Sequence, residues 1–242
     1  MNLAIDVGNT RVKAAVFHGD NLIEVTIFPV EKIISEIKFI TKKYTLNDAI
    51  ISSVAFISEK KLEKLRKILL LLEVSSAMKL PFHNLYKTPK TLGADRIALI
   101  AAATKSFPNK NVLVIDAGTC ITFDFVDKNA TYFGGAISLG IAMRFKALHH
   151  FTGKLPLLDK KYLDKFIGQS TEESINSGVV NGVIQEIEGV IGQYKQKFND
   201  FTIVLTGGDT NFLSKQLKSS IFANQNFLLE GLNELLIFNK NK

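Results

Sequence analysis

A short phrase is echoed in this chain, as Asp6-Val7-Gly8-Asn9-Thr10 and as Asp116-Ala117-Gly118-Thr119. Each time an apolar run ends on the aspartate, and each time a second apolar run follows the turn. A strand–turn–strand unit used twice predicts a duplicated fold. The residue types in the turn suit an anion: glycine lets the backbone come close, while turn N–H groups and threonine hydroxyls donate hydrogen bonds. An aspartate at the strand end can hold the hydration shell of Mg²⁺, or another cation, beside bound phosphates. Lys13 follows on the outgoing strand and can neutralise phosphate charge. Aspartate, glycine and asparagine are also ordinary hairpin residues. Their recurrence at matching points of a repeated pattern favours phosphate clamps over plain turns. Neither copy matches the Walker P-loop or Gly-x-Gly-x-x-Gly.

The pattern around the turns does repeat. Strands are predicted at residues 2–5, 11–17 and 22–28, then a helix at 31–43 and a strand at 48–54. Ser58 is placed to cap a helix whose stripe is Leu62, Leu65, Ile68/Leu69 and Leu72. Residues 81–89 read as irregular and 94–105 as an alanine-rich helix. Three more strands follow at 111–115, 120–126 and 131–137, with helices at 141–150 and 171–197. A strand at 201–205 ends on Thr206-Gly207-Gly208-Asp209, and helices at 212–218 and 228–238 close the chain. Strand trios followed by helices predict an α/β protein with mixed sheets flanked by helices. The expected halves are residues 1–109 and 110–242, packed as lobes around a ligand cleft.

Composition excludes several classes. With 242 residues and 46% hydrophobic content the chain can bury a large core without staples. Its net charge of +7 raises the question of nucleic acid, but Lys60, Lys61, Lys64, Arg66 and Lys67 follow an exposed helix face without interleaved aromatics, so no nucleic-acid role is expected. The single cysteine, Cys120, rules out an internal disulfide and reads as a small buried residue. His18, His83, His149 and His150 lack transition-metal spacing. The first residues contain no basic stretch before an apolar run, and no apolar run reaches the roughly 20 residues that span a bilayer. A cytoplasmic protein without membrane association is expected.

Taken in order, the motifs resemble the type III pantothenate kinases of the acetate kinase–hexokinase–actin superfamily. Asp6-Val7-Gly8-Asn9-Thr10-Arg11-Val12-Lys13 resembles the first phosphate motif, and Gly93-Ala94-Asp95-Arg96 the family's Gly-x-Asp-Arg element. Asp116-Ala117-Gly118-Thr119, with Thr122 and Asp124, resembles the second phosphate motif. Gly134-Gly135-Ala136-Ile137, Ser170-Thr171, Thr206-Gly207-Gly208-Asp209 and Leu229-Glu230-Gly231-Leu232 continue the series nearly to the C-terminus. Leu139 stands where the family usually has proline, and Asn226 where aspartate is common.

The resemblance implies a duplicated actin/hexokinase-like (ribonuclease H-like) fold and ATP-dependent phosphorylation of pantothenate to 4′-phosphopantothenate, the first step of coenzyme A synthesis. It places ATP between the lobes, with Asp6, Val7, Gly8, Asn9, Thr10, Arg11, Val12, Lys13 and Thr119 at the phosphates, together with Mg²⁺. Asp116 would hold a monovalent cation, K⁺ or NH₄⁺. Tyr86, Gly93, Ala94, Asp95, Arg96 and Thr171 would bind pantothenate. Asp95, at the start of a helix whose dipole favours the carboxylate, is the candidate general base, and Arg96 a planar donor fork for the substrate. Read locally, Asp95 is also an ordinary first-turn acid and Thr171 an ordinary N-cap. The resemblance further implies a homodimer with pantothenate bound at the subunit interface. The alternatives are another small-molecule kinase of the superfamily, or a non-catalytic transcriptional accessory protein on the same fold. The latter would not need Asp95, Lys13 and both turn threonines together.

Overall fold

The computed structural model describes residues 1–8, 11–53, 57–162, 164–198 and 200–240, so Asn9 and Thr10 of the first turn, and Val54 at the end of the expected fourth strand, lie outside the described residues. Strand β1 (Asn2–Val7) pairs antiparallel with β2 (Arg11–His18), which pairs antiparallel with β3 (Asn21–Pro29). After helix α1 (Ile33–Lys43), β4 (Asp48–Ser53) lies parallel to β1 on its other side. Helix α2 (Glu59–Arg66) then leads to β5 (Leu71–Glu73), parallel to β4, giving the order β3-β2-β1-β4-β5. Parallel neighbours need a crossover between them, which is what α1 and α2 supply.

The second sheet is reached through β6 (His83–Asn84) and helix α3 (Ala94–Ser106). It contains β7 (Val112–Ala117), β8 (Cys120–Val126) and β9 (Thr131–Leu139). After α4 (Ile141–His150) and α5 (Thr171–Lys197) come β10 (Thr202–Thr206), the single-turn α6 (Thr210–Leu213), β11 (Phe222–Ala223) and α7 (Phe227–Lys240). Its order is β11-β10-β7-β8-β9-β6. Apart from the added β6, the sequence 9-8-7-10-11 repeats the first sheet's 3-2-1-4-5. The duplication expected from the two turns is therefore present in the topology.

Period-two alternation divides the first sheet into two faces. Leu3, Ile5 and Val7 of β1, Val12, Ala14 and Val16 of β2, and Ala49 and Ile51 of β4 bury against Ile33, Ile37 and Ile40 of α1 and Leu62 and Leu65 of α2. Each valine, leucine or isoleucine side chain among these, removed from water, stabilises the fold by about 1.5–3 kcal/mol. Asp6, Lys13 and Ser52 consequently belong to the opposite face, where α3 packs on β4 and α7 on β1. Those two helices touch backbone to backbone: a β-carbon on Gly231 of α7 would lie 1.9 Å from the Ala98 carbonyl oxygen of α3.

Contacts group the chain into two compact units. One contains Met1–Lys110, Phe125–Gly134 and Asn226–Lys242; the other contains Asn111–Asp124 and Gly135–Gln225. Helix α7, last in sequence, thus belongs with the first sheet. Local structure departs from expectation in a few places. Helix α2 stops at Arg66, because Leu71, Leu72 and Glu73 pair with Ala49, Ile50 and Ile51 as β5. Ser58 occupies the N-cap of α2 without a side-chain cap bond. The helix expected at 212–218 is only the turn Thr210–Leu213. Among the described residues no helix is long and apolar enough to cross a membrane.

Candidate active site

The first turn closes with Gly8 N–H donating to the Arg11 carbonyl at 3.1 Å, and the register then sets Asp6 opposite Lys13 and Val7 opposite Val12. On the other side of β1, Asp6 stands opposite Ser52 of β4. Lys13, Asp6 and Ser52 therefore form one row across three strands. Val7 and Val12 are buried, Gly8 is half-buried and Arg11 is exposed. Burial pushes the Asp6 carboxyl up to about 6; the Lys13 charge opposes this rise and the negative charge of Asp95 adds to it. Asp95 is thus close enough for its charge to act on Asp6, which brings the Gly-Ala-Asp-Arg element to the first turn.

That element starts α3. Gly93 is the N-cap residue, Ala94 begins the helix, and Asp95 Oδ1 accepts from the Arg96 N–H at 2.8 Å. A β-carbon at position 93 would stand 2.3 Å from Asp95 Oδ1, so a larger residue there would displace the Asp95 carboxylate. Arg96 is only 4% exposed, and its guanidinium carbon lies 5.5 Å from the centre of the Tyr86 ring. Tyr86 stacks in turn on the fully buried Tyr132, with centroids 6.2 Å apart and planes at 22°. The Tyr86–Arg96 pair is an aromatic face and a cation held together by core packing.

The second turn is tighter, with Gly118 N–H donating to the Cys120 carbonyl at 3.0 Å. Two other segments clasp it. Gly140 N–H donates to the Thr119 carbonyl at 3.0 Å, and Asp209 N–H to the Ala117 carbonyl at 2.9 Å. Gly207 has φ of +96°, and a β-carbon there would be 2.3 Å from Asp116 Oδ1; only glycine meets both demands. Thr206 of β10 pairs in register with Asp116. Thr122 Oγ1 is buried and has no hydrogen-bond partner among the described residues. Half-buried Asp116 thus has Thr206 beside it in the sheet, and among the described residues no three His, Cys, Asp or Glu side chains gather as a metal cluster. Thr119 is exposed. Cys120 is exposed rather than buried, because it opens β8 at the turn.

Thr171 is the exposed first residue of α5. It is not the cap: Ser170 Oγ accepts from Glu173 N–H at 3.2 Å, and Glu173 Oε2 accepts from Gln169 N–H at 2.7 Å. Thr171 lines a groove of about 1110 Å³ in the second unit, whose wall includes Leu139, Phe151, Leu155, Ile175 and Val179. Leu139, in the place of the usual proline, offers its carbonyl to Arg144 Nε at 2.9 Å.

The family profile described as type III pantothenate kinase matches residues 2–193. The chain belongs to that family. Three relatives named type III pantothenate kinase align nearly end to end. The protein of Christiangramia forsetii is 51% identical, covering 99% of each chain. That of Flavobacterium johnsoniae is 48% identical over 97% of this chain and 96% of its own. That of Bacteroides fragilis is 42% identical over the full length of both. Among solved structures, a Campylobacter jejuni protein named for the Baf family of transcriptional activators superposes with a TM-score of 0.66 at 22% identity, covering 99% of this chain and 100% of its own. A ROK family glucokinase from Streptomyces griseus gives 0.50 at 10% identity, covering 100% and 99%. Both likenesses bear on the fold, which is the actin/hexokinase-like one.

The motif residues fall into three places. Asp6, Lys13, Asp95, Arg96 and Tyr86 gather in the first unit; Asp116 and Thr119 form the second turn; Thr171 sits on the groove of the second unit. Sequence reasoning missed Ser52 and Tyr132. Ser52 could have been found by asking which residue a parallel neighbour sets beside Asp6, but residues 48–54 give no sign of their partner strand.

Proposed function

We propose that the chain transfers the γ-phosphoryl group of ATP to the hydroxyl of pantothenate, giving ADP and 4′-phosphopantothenate at the entry to coenzyme A synthesis. The observation that carries this is the end-to-end relationship to proteins of that name, 51% identical over 99% of both chains in one case. The clustering of Asp6, Lys13 and Asp95 supports it, since phosphoryl transfer asks a protein for positioning, charge and a proton acceptor.

Asp95 takes the proton as the pantothenate oxygen attacks the γ-phosphorus and the bond to the β–γ bridging oxygen breaks. Residues 6–13 and Thr119 hold the phosphates through turn N–H groups, hydroxyls and the Lys13 ammonium. Gly93, Ala94, Arg96 and Tyr86 orient pantothenate, with the arginine fork suited to its carboxylate. The Asp6 carboxylate, with the Asp95 charge acting on it, fits a hydrated Mg²⁺ beside Asp6. Asp116, with hydroxyl residues and carbonyls nearby, fits K⁺ or NH₄⁺ better than a transition metal. When bound, these cations offset phosphate charge. The working unit in this reading is a cytoplasmic homodimer in which Thr171 completes the partner's pantothenate site.

The deciding experiment incubates purified protein with ATP, Mg²⁺ and pantothenate in K⁺ and in Na⁺ buffers, with mass spectrometry of the product. Phosphopantothenate forming faster in K⁺ is expected. Absence of phosphopantothenate in both buffers rejects the function.

A further inference from the structure

Ser52 is fully buried near the end of β4, and its Oγ has no hydrogen-bond partner among the described residues. A buried hydroxyl without a partner weakens a fold, and alanine would serve the packing better. Register shows which group the hydroxyl can serve. Pairing of β4 with β5 ends at Ile51 opposite Glu73, so the residue across from Ser52 is Asp6 of β1. Paired residues of adjacent parallel strands project from the same face, with the strands about 4.8 Å apart. The duplicated unit repeats the arrangement, with Thr206 of β10 opposite Asp116 of β7 and only 1% exposed. In both units the parallel neighbour of the strand-end aspartate carries a buried hydroxyl residue at the matching position.

The geometry points to Ser52 as a positioning residue for Asp6: its hydroxyl, one rotamer change or one bridging water away, fixes the direction in which the carboxylate faces the nucleotide's phosphates. A carboxylate turns easily about its last torsion, and a donor on one side removes that freedom. Lys13 flanks Asp6 from β2 and Ser52 from β4, so a charge and a hydroxyl residue stand on either side of it. The inference rests on the first turn being a phosphate site, as proposed above.

The test measures Mg·ATP affinity by calorimetry and melting temperature for wild type, Ser52→Ala, Asp6→Asn and the double variant. Ser52→Ala should melt at or above the wild type and bind Mg·ATP more weakly by about ten-fold or more, the worth of one hydrogen bond to a charged group. In the Asp6→Asn background Ser52→Ala should weaken binding no further, because its effect runs through Asp6. Unchanged affinity in Ser52→Ala, an additive loss in the double variant, or weaker binding accompanied by a lower melting temperature would each overturn the proposal. The measurement needs no pantothenate. A wild-type protein that binds Mg·ATP but does not phosphorylate pantothenate therefore counts against the acceptor and leaves the Ser52 result standing. One that binds no Mg·ATP overturns both.

Discussion

Lys13 stands directly opposite Asp6 across the antiparallel pair of β1 and β2, so the first turn's carboxylate and a lysine share one row of the sheet. The ammonium does not fully compensate the carboxylate. Burial is the larger influence, and the Asp6 carboxyl rises from an ordinary value of 3.8 to about 6. A folded-state value above the unfolded one adds stability that is complete below the unfolded value and lost as pH rises through the folded one. Asp6→Asn should therefore be more stable than wild type at pH 7.5, by on the order of 2 kcal/mol, less whatever solvent screens at a half-buried site. The gap should narrow as pH falls through 6 and close by about pH 3, below the unfolded value of 3.8, where Asp6 is protonated in both states. Urea denaturation at the two pH values checks this, and equal stability at pH 7.5 contradicts it.

In the proposed reaction Asp95 takes the proton. Asp95→Asn keeps shape and hydrogen-bonding capacity at the start of α3 but removes the base. It should fold normally and bind Mg·ATP, with kcat lowered about 10²–10⁴-fold, the usual worth of a positioned general base. Steady-state assay with calorimetric ATP binding reads both quantities. A variant within a few-fold of wild-type kcat removes Asp95 from the role.

Asp116 provides the carboxylate at the second turn, pressed by Gly207 and paired in register with Thr206. Asp116→Ala should abolish the rate difference between K⁺ and Na⁺ buffers, since neutral hydroxyls and carbonyls alone hold a monovalent cation weakly. The comparison begins with the wild type: equal rates in K⁺ and Na⁺ before any mutation reject the cation site.

Elements with a long, regular period were legible in the chain. Predicted residues 141–150 and 171–197 correspond to α4 and α5, because an apolar stripe of that length admits one reading. Short elements were not. β6 and β11 have two residues each, and the apolar run after Arg66 continues the α2 stripe yet pairs with β4 as a strand. Tertiary pairing overrode local periodicity there. The same cause hid Ser52, whose significance lies in the strand beside it. Tyr132 was hidden too, because its contact with Tyr86 depends on which distant segment stacks against it. The aspartates and glycines of both turns were legible because backbone approach to an anion admits few residue types.

Assembly can be tested through Thr171 and Asp95 together. Helix α5 buries Ile175, Val179, Val180, Val183, Ile187 and Ile191 within its own chain, which accounts for one apolar face. Its glycines lie elsewhere: nothing comes within 4 Å of the β-carbon position at Gly178, Gly182 or Gly189. Each glycine costs helix stability of about 1 kcal/mol relative to alanine, so an open glycine row needs a use. The adjoining groove exposes Phe151 by 82% and Leu139 by 45%, a large apolar surface to leave in water. A second copy docking there would cover that surface and bring Thr171 to the partner's pantothenate site. Asp95→Asn and Thr171→Val proteins, each impaired alone, should regain activity when mixed under conditions that exchange subunits. The mixed dimer pairs one site carrying both substitutions with one carrying neither, so recovery should approach one intact site per mixed dimer. Sedimentation at assay concentration should give a dimer. A fully active monomer, or a mixture no more active than its components, excludes the shared site.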